Sequence, residues 1–305
     1  MSSVSLTNEY LQVLVCAGGL AFSPAGSQSG PDTIRLELPG AMRGEAKIVE
    51  CADERRGKGR RLVLQHGDRI TTATIHDQDP FVYLESHLEN ASGETAVFDQ
   101  IRVADLVFES QEGADASKWS TLGSGGMKPA GTPENSFAYY AVADVASRNG
   151  VVCAWLTQQR GLGAMLPVYK DGQLRVGAEL EFGNLRIQPN QARETDTLVI
   201  GFFSDVRLGL ERFADEVAQT YAIHLKPKPD VFCTWYARRH SADGASTEDA
   251  LAVNAAFAKK HLQPFGLNVF QIDDHWQADS HSKSTVDENL DKGPIKIFKE
   301  TNTNY

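Results

Sequence analysis

Two adjacent carboxylates, Asp273 and Asp274, sit in the run Gln271-Ile272-Asp273-Asp274-His275-Trp276-Gln277. Neighbouring negative charges repel, so such a pair needs a counterpart: hydroxyl donors, a cation or a basic neighbour. Hydroxyl-rich ligands suit it, because charge-assisted hydrogen bonds to carboxylates are strong and directional. A second polar run, Trp235-Tyr236-Ala237-Arg238-Arg239-His240, stands upstream. Its indole would give a ligand an apolar wall. The plainer reading is that Asp273 and Asp274 cap the next segment and bond loop amides, with Trp235 and Trp276 in a core. Trp276 suits either a site wall or packing, and His275 either a third polar contact or an exposed loop position.

The elements that must position these residues are short. Residues 231 to 236 read as a strand and residues 247 to 262 as a helix. Ser246 stands as its N-cap, and Leu251, Ala255, Ala258 and Leu262 lie along one face. Pro264 and Gly266 end that helix, and residues 267 to 272 form a second apolar strand. The pattern is a β-α-β unit with a parallel pair. Both polar runs then leave the carboxyl ends of strands, where ligands bind in parallel α/β architectures.

Upstream the texture differs. From residue 30 to 204, short alternating segments are separated by turn residues, as in residues 33–38 and 61–64. Further such segments lie at residues 81–88, 97–107, 139–145, 151–156, 174–182 and 197–203. So many strands without helices predict a β-sandwich. Residues 123–133 read as an exposed loop. Asp205 opens a helix carrying Leu208, Phe213, Val217 and Tyr221. Beyond it, Lys226-Pro227-Lys228-Pro229 prevents helix and discourages pairing into a sheet, which marks a domain boundary. The expected layout is a sandwich over 1–204, a helix and linker over 205–230, and a barrel fragment over 231–305.

With 40 acidic against 30 basic side chains, the net charge is −10. Nucleic acid and anionic membranes are therefore not expected as partners. Cys16, Cys51, Cys153 and Cys233 form no zinc motif or dense disulfide framework, so reduced, packed thiols are expected. The apolar stretch at residues 11–22 is interrupted by Gln12, Gly18 and Gly19 and lacks a basic start, so no signal peptide is read and a cytoplasmic location is expected. No run reaches the roughly 20 apolar residues of a membrane helix.

The stretch from Val231 to Gln277, with Phe270-Gln271-Ile272-Asp273-Asp274-His275-Trp276 at its end, resembles the opening of the (β/α)8 barrel in clan-D glycoside hydrolases. This is the α-galactosidase and raffinose-synthase group. There the barrel opens on a Trp-rich strand, and strand two ends in (Val/Gln)-(Ile/Leu)-Asp-Asp-(Gly/Cys)-Trp. A large β-sandwich commonly precedes it. Gly293-Pro294-Ile295-Lys296-Ile297-Phe298 looks like the family's connector after strand two. The resemblance implies that Asp273 and Asp274 accept hydrogen bonds from adjacent sugar hydroxyls, with Trp235, and on one reading Trp276, walling the sugar. It implies an oligosaccharide with a terminal α-galactose as partner and no metal or organic cofactor. His275 replaces the family's Gly or Cys, and Phe232 stands where a further Trp is often found, so a different sugar preference is open.

A retaining glycosidase also needs a nucleophile and an acid/base about 5 to 5.5 Å apart, which in this group lie on later barrel strands. A full barrel takes about 250 residues. Asp279, Asp287, Glu288, Asp291 and Glu300 lie in a loop-like polar stretch, and none is expected to be the nucleophile. The reading is therefore a truncated enzyme with no catalytic pair of its own and no turnover. An unclosed sheet edge and bare apolar surface would favour disorder or association, including with a second copy. Two alternatives stand beside the hydrolase: a raffinose-synthase-like galactosyl transferase, and a non-catalytic β-sandwich that binds carbohydrate or protein.

Overall fold

A computed structural model describes residues 4–26, 31–109, 116–236 and 248–273. The chain divides into two compact units, Met1–Ile223 and His224–Tyr305. The first is a sandwich of two antiparallel sheets. One runs, in spatial order, Ser5–Thr7, Leu11–Cys16, Gly19–Pro24, Thr33–Glu37, Ala96–Glu109, Gln173–Ile187, Leu162–Lys170 and Ser136–Phe137. The other runs Gly126–Pro129, Trp119–Gly123, Tyr139–Asp144, Gly150–Trp155, Leu198–Phe203, Phe81–Glu89, Arg69–His76, Gly57–His66 and Met42–Asp53, with Ala192–Glu194 beside Phe81–Glu89.

Alternation builds the core. In Thr33–Glu37, Ile34 and Leu36 point inward, and in Gly57–His66, Leu62 and Leu64 do. They meet Phe22, Val82, Leu106 and Leu180 between the sheets. Gly150–Trp155 is buried at every position. Its run of Val151, Val152, Cys153 and Ala154 has no polar alternation because its second face is covered as well. That cover is helix α1, Val206–Thr220, which lays Val206, Leu210, Phe213 and Val217 against Tyr83, Val152, Ala154 and Val199. Asp205 caps it, its carboxylate accepting the Arg207 amide at 3.1 Å.

The face of α1 is not wholly apolar. Glu216 is fully buried and pairs with Arg56 Nε at 2.9 Å and Arg212 Nη2 at 2.7 Å. The Tyr83 hydroxyl lies 2.9 Å from Glu216 Oε2 and 2.8 Å from Asp79 Oδ2. Arg56 and Arg55 come from the turn joining Met42–Asp53 to Gly57–His66. Arg56 Nη2 donates to Thr220 Oγ1 at 2.8 Å, and Arg55 donates to the Gln219 and Thr220 carbonyls. The turn thus places cationic groups at the negative end of the helix.

Three local expectations change. The stretch read as a loop at 123–133 includes a hairpin: Leu122 faces Met127 and Gly123 faces Gly126 across a turn that needs the positive φ of Gly126. Leu208 is exposed, and the buried stripe of α1 runs 206, 210, 213, 217 instead. Ala255 is exposed, so it does not share the buried side of its helix with Leu251 and Ala258.

The second unit holds helix α2, Glu248–His261, between two parallel strands, Val231–Cys233 and Val269–Gln271. Among the described residues its parallel sheet has two strands. Ser246 lies outside them.

Candidate functional site

The parallel register sets Val231 beside Val269 and Cys233 beside Gln271, with the Phe232 and Phe270 rings stacked at 5.1 Å. Both chains therefore leave the same edge of the sheet, one through Thr234 and Trp235, the other through Ile272 and Asp273. Thr234 is fully buried in a single 3-10 turn, and its hydroxyl accepts the Asp273 amide at 2.9 Å. That bond continues the ladder past the last backbone rung and fixes where Asp273 begins.

The Asp273 carboxylate is held as well. Cys233 Sγ donates to Oδ2 at 3.0 Å and Gln271 Nε2 donates to the same oxygen at 3.2 Å. The hydrogen bond to Asp273, followed by burial, raises the Cys233 thiol above its ordinary range. At neutral pH it stays protonated and remains a donor. The edge thus presents a half-buried, oriented carboxylate and, on the neighbouring strand, the indole of Trp235, which is 45% exposed.

Of the residues singled out from sequence, Trp235 and Asp273 come to this one edge. Asp274, His275 and Trp276 lie outside the described residues, as do Asp279, Asp287, Glu288, Asp291 and Glu300. Cys233 and Thr234 were not anticipated as partners of Asp273. The usable signal was their place: they are the last strand residue and the first beyond it, where side chains reach across to a parallel neighbour. Among the described residues no group of three or more His, Cys, Asp or Glu side chains is placed to hold a metal ion.

No protein-family model matches the sequence, and no curated protein matches it. Solved structures do resemble the fold. An α-galactosidase from Lactobacillus brevis aligns with a TM-score of 0.50 at 11% identity, over 90% of this chain and 49% of that one. The GH36 α-galactosidase AgaA from Geobacillus stearothermophilus gives 0.53 at 12% identity, over 91% and 51%. The galactosidase domain of the α-galactosidase-sucrose kinase AgaSK gives 0.52 at 10%, over 90% and 50%. Variants of AgaA have been solved in complex with stachyose and with raffinose. This chain spans about half the length of the solved chains it resembles. Identity this low speaks for a shared fold alone. The first unit is 223 of the 305 residues, so a likeness over about 90% of the chain extends into the second.

Proposed function

We propose that this chain carries the sandwich and the opening β-α-β of the catalytic barrel of an α-galactosidase-type glycoside hydrolase. The sandwich spans 1–204, the joining helix and linker 205–230, and the barrel portion 231–305. Asp273 and Asp274 grip neighbouring hydroxyls of a terminal α-galactosyl unit in an oligosaccharide, and Trp235 and Trp276 wall its carbon face. The observation that carries this reading is Asp273, oriented by Cys233, Gln271 and Thr234 at the carboxyl edge of a parallel pair and sharing that edge with Trp235. The fold likeness to α-galactosidases supports it.

In this reading Asp273 recognises and orients, and does not attack. Its Oδ2 already takes two hydrogen bonds, which draws charge away from a nucleophile yet fixes the acceptor geometry a hydroxyl meets. A carboxylate so fixed discriminates between epimers, because the wrong one leaves it unpaired. The test is titration of the whole chain with methyl α-galactoside and methyl α-glucoside, followed by tryptophan fluorescence. The galactoside should bind more tightly, and Asp273→Asn should weaken it about tenfold or more. Equal affinity of the wild type for both sugars, or unchanged galactoside binding in Asp273→Asn, would overturn the assignment.

A further inference from the structure

The second sheet of the sandwich has a break in its ladder. One edge of Phe81–Glu89 is paired by two successive strands: Leu198–Phe203 faces residues 81 to 84, and Ala192–Glu194 faces residues 87 to 89. Between them Thr195 leaves the regular pattern. Its amide donates to the Ser86 carbonyl at 2.8 Å, while its hydroxyl accepts the Ser86 amide at 2.9 Å, a side chain standing in for a backbone oxygen.

Asp196 is next in the chain and fully buried. Its carboxylate accepts Thr157 Oγ1 at 2.8 Å and the amides of Gln159, Arg160 and Gly161 at 2.9, 3.0 and 2.9 Å. A buried carboxylate is costly unless its lone pairs are met, and here four donors meet them. The result is a loop at 157–161 tied by four hydrogen bonds to the residue next to the break. Ladder irregularities of this kind are concentrated beside functional sites.

Beside the break lies a cavity of about 380 Å³, within the range of roughly 300–1,000 Å³ typical of small-molecule sites. Arg61, Arg160, Glu85, Glu89, Glu194 and His87 line it. Several are held in place: Arg61 Nε donates to Thr74 Oγ1 at 3.1 Å, Thr197 Oγ1 donates to Glu85 Oε1 at 2.9 Å, and Arg160 Nη2 meets Glu194 Oε2 at 3.0 Å. Side chains already fixed lose little freedom when a ligand arrives. The charges are close to balanced, two guanidiniums against three carboxylates. A phosphate or sulfate would face carboxylates and a polyamine would face guanidiniums. A neutral polyhydroxylated ligand accepts from the guanidiniums and donates to the carboxylates, leaving no charge uncompensated.

We propose that this cavity is a carbohydrate-binding site for neutral oligosaccharides, separate from Asp273 and independent of it. The experiment is isothermal titration calorimetry of the whole chain with cellotriose and maltotriose, neutral oligosaccharides without galactose, as neutral probes, and with sulfate and spermidine as charged ones. At least one sugar should bind in the millimolar range. The double change Arg61→Ala with Glu85→Ala, and separately Thr72→Trp, which fills the cavity without removing a charge, should each weaken it about tenfold or more. Asp273→Asn should leave this binding intact. Absence of binding by both sugars, binding insensitive to Thr72→Trp, binding lost in Asp273→Asn, or displacement of the sugar by sulfate or spermidine would each overturn the proposal. Thr72→Trp decides if the double variant fails to fold. The Asp273 assignment can fail while this site stands, because each is read by its own substitution.

Discussion

Around the Tyr83 hydroxyl, proton counting constrains the chemistry. One hydroxyl hydrogen lies between two carboxylate oxygens, Asp79 Oδ2 and Glu216 Oε2. Only one of those contacts can use it, so the other short contact requires a proton of its own. Burial, then the charge of Glu216, raises Asp79 above the ordinary carboxylate range. Arg56 and Arg212 both pair with Glu216, Arg212 at 2.7 Å against 3.6 Å to Asp79, so the extra proton is assigned to Asp79. A carboxyl whose pKa is raised on folding binds its proton more tightly in the folded state. Its contribution is therefore most favourable at low pH and is lost as pH rises from the unfolded value of about 3.9 through the folded one. Asp79→Asn imitates the protonated acid. Relative to wild type, this variant should gain stability as pH rises above about 4, measured by urea unfolding across pH 4 to 8; a constant difference would contradict the assignment. Glu216→Ala should cost about 3–5 kcal/mol, since it removes the buried carboxylate that Arg56 and Arg212 share.

At the scale of the element, helix α1 separates burial from mere periodicity. Phe213 packs on the outer face of the sheet, whereas Leu208 is 60% exposed. Phe213→Ala should lower stability by up to about 3 kcal/mol, and Leu208→Ala should stay within about 0.5 kcal/mol; comparable losses in thermal unfolding would refute this assignment of faces. The sequence already held the helix, its Asp205 cap and about half of the sandwich's strands, because turn residues and alternation are local signals. Of the expected stripe Phe213 and Val217 are on the packed face, whereas Leu208 lies on the opposite side of the helix and Tyr221 is exposed at its end. Met42–Asp53 escaped notice for a different reason: it is an edge strand exposed on most of its positions, so no alternation marks it. The site was legible in part. Asp273 and Trp235 follow from strand ends, but the bonds from Cys233 and Thr234 join residues about 40 apart and leave no pattern in either segment. The cavity beside Asp196 was not legible at all, because it arises from rungs that are missing.

For the whole molecule, a shared fold at 10–12% identity reflects what specifies a sandwich: alternating apolar positions and turns, met by many different side chains. Although the net charge is −10, the cavity is lined by both guanidiniums and carboxylates, a mixed-charge surface that a neutral polar ligand can use. The clasp between the turn carrying Arg56 and the end of α1 has a further consequence, one of time. Its partners lie about 160 residues apart, so the helix cannot gain that anchor until the hairpin formed by Met42–Asp53 and Gly57–His66 exists and a long loop has closed. Docking of α1 is thus a late event on the way to the native state. In stopped-flow experiments Arg56→Ala should accelerate unfolding and leave the refolding rate nearly unchanged, and a slowed refolding limb would place the clasp early instead. An anchor that forms late in folding is then one that releases early in unfolding.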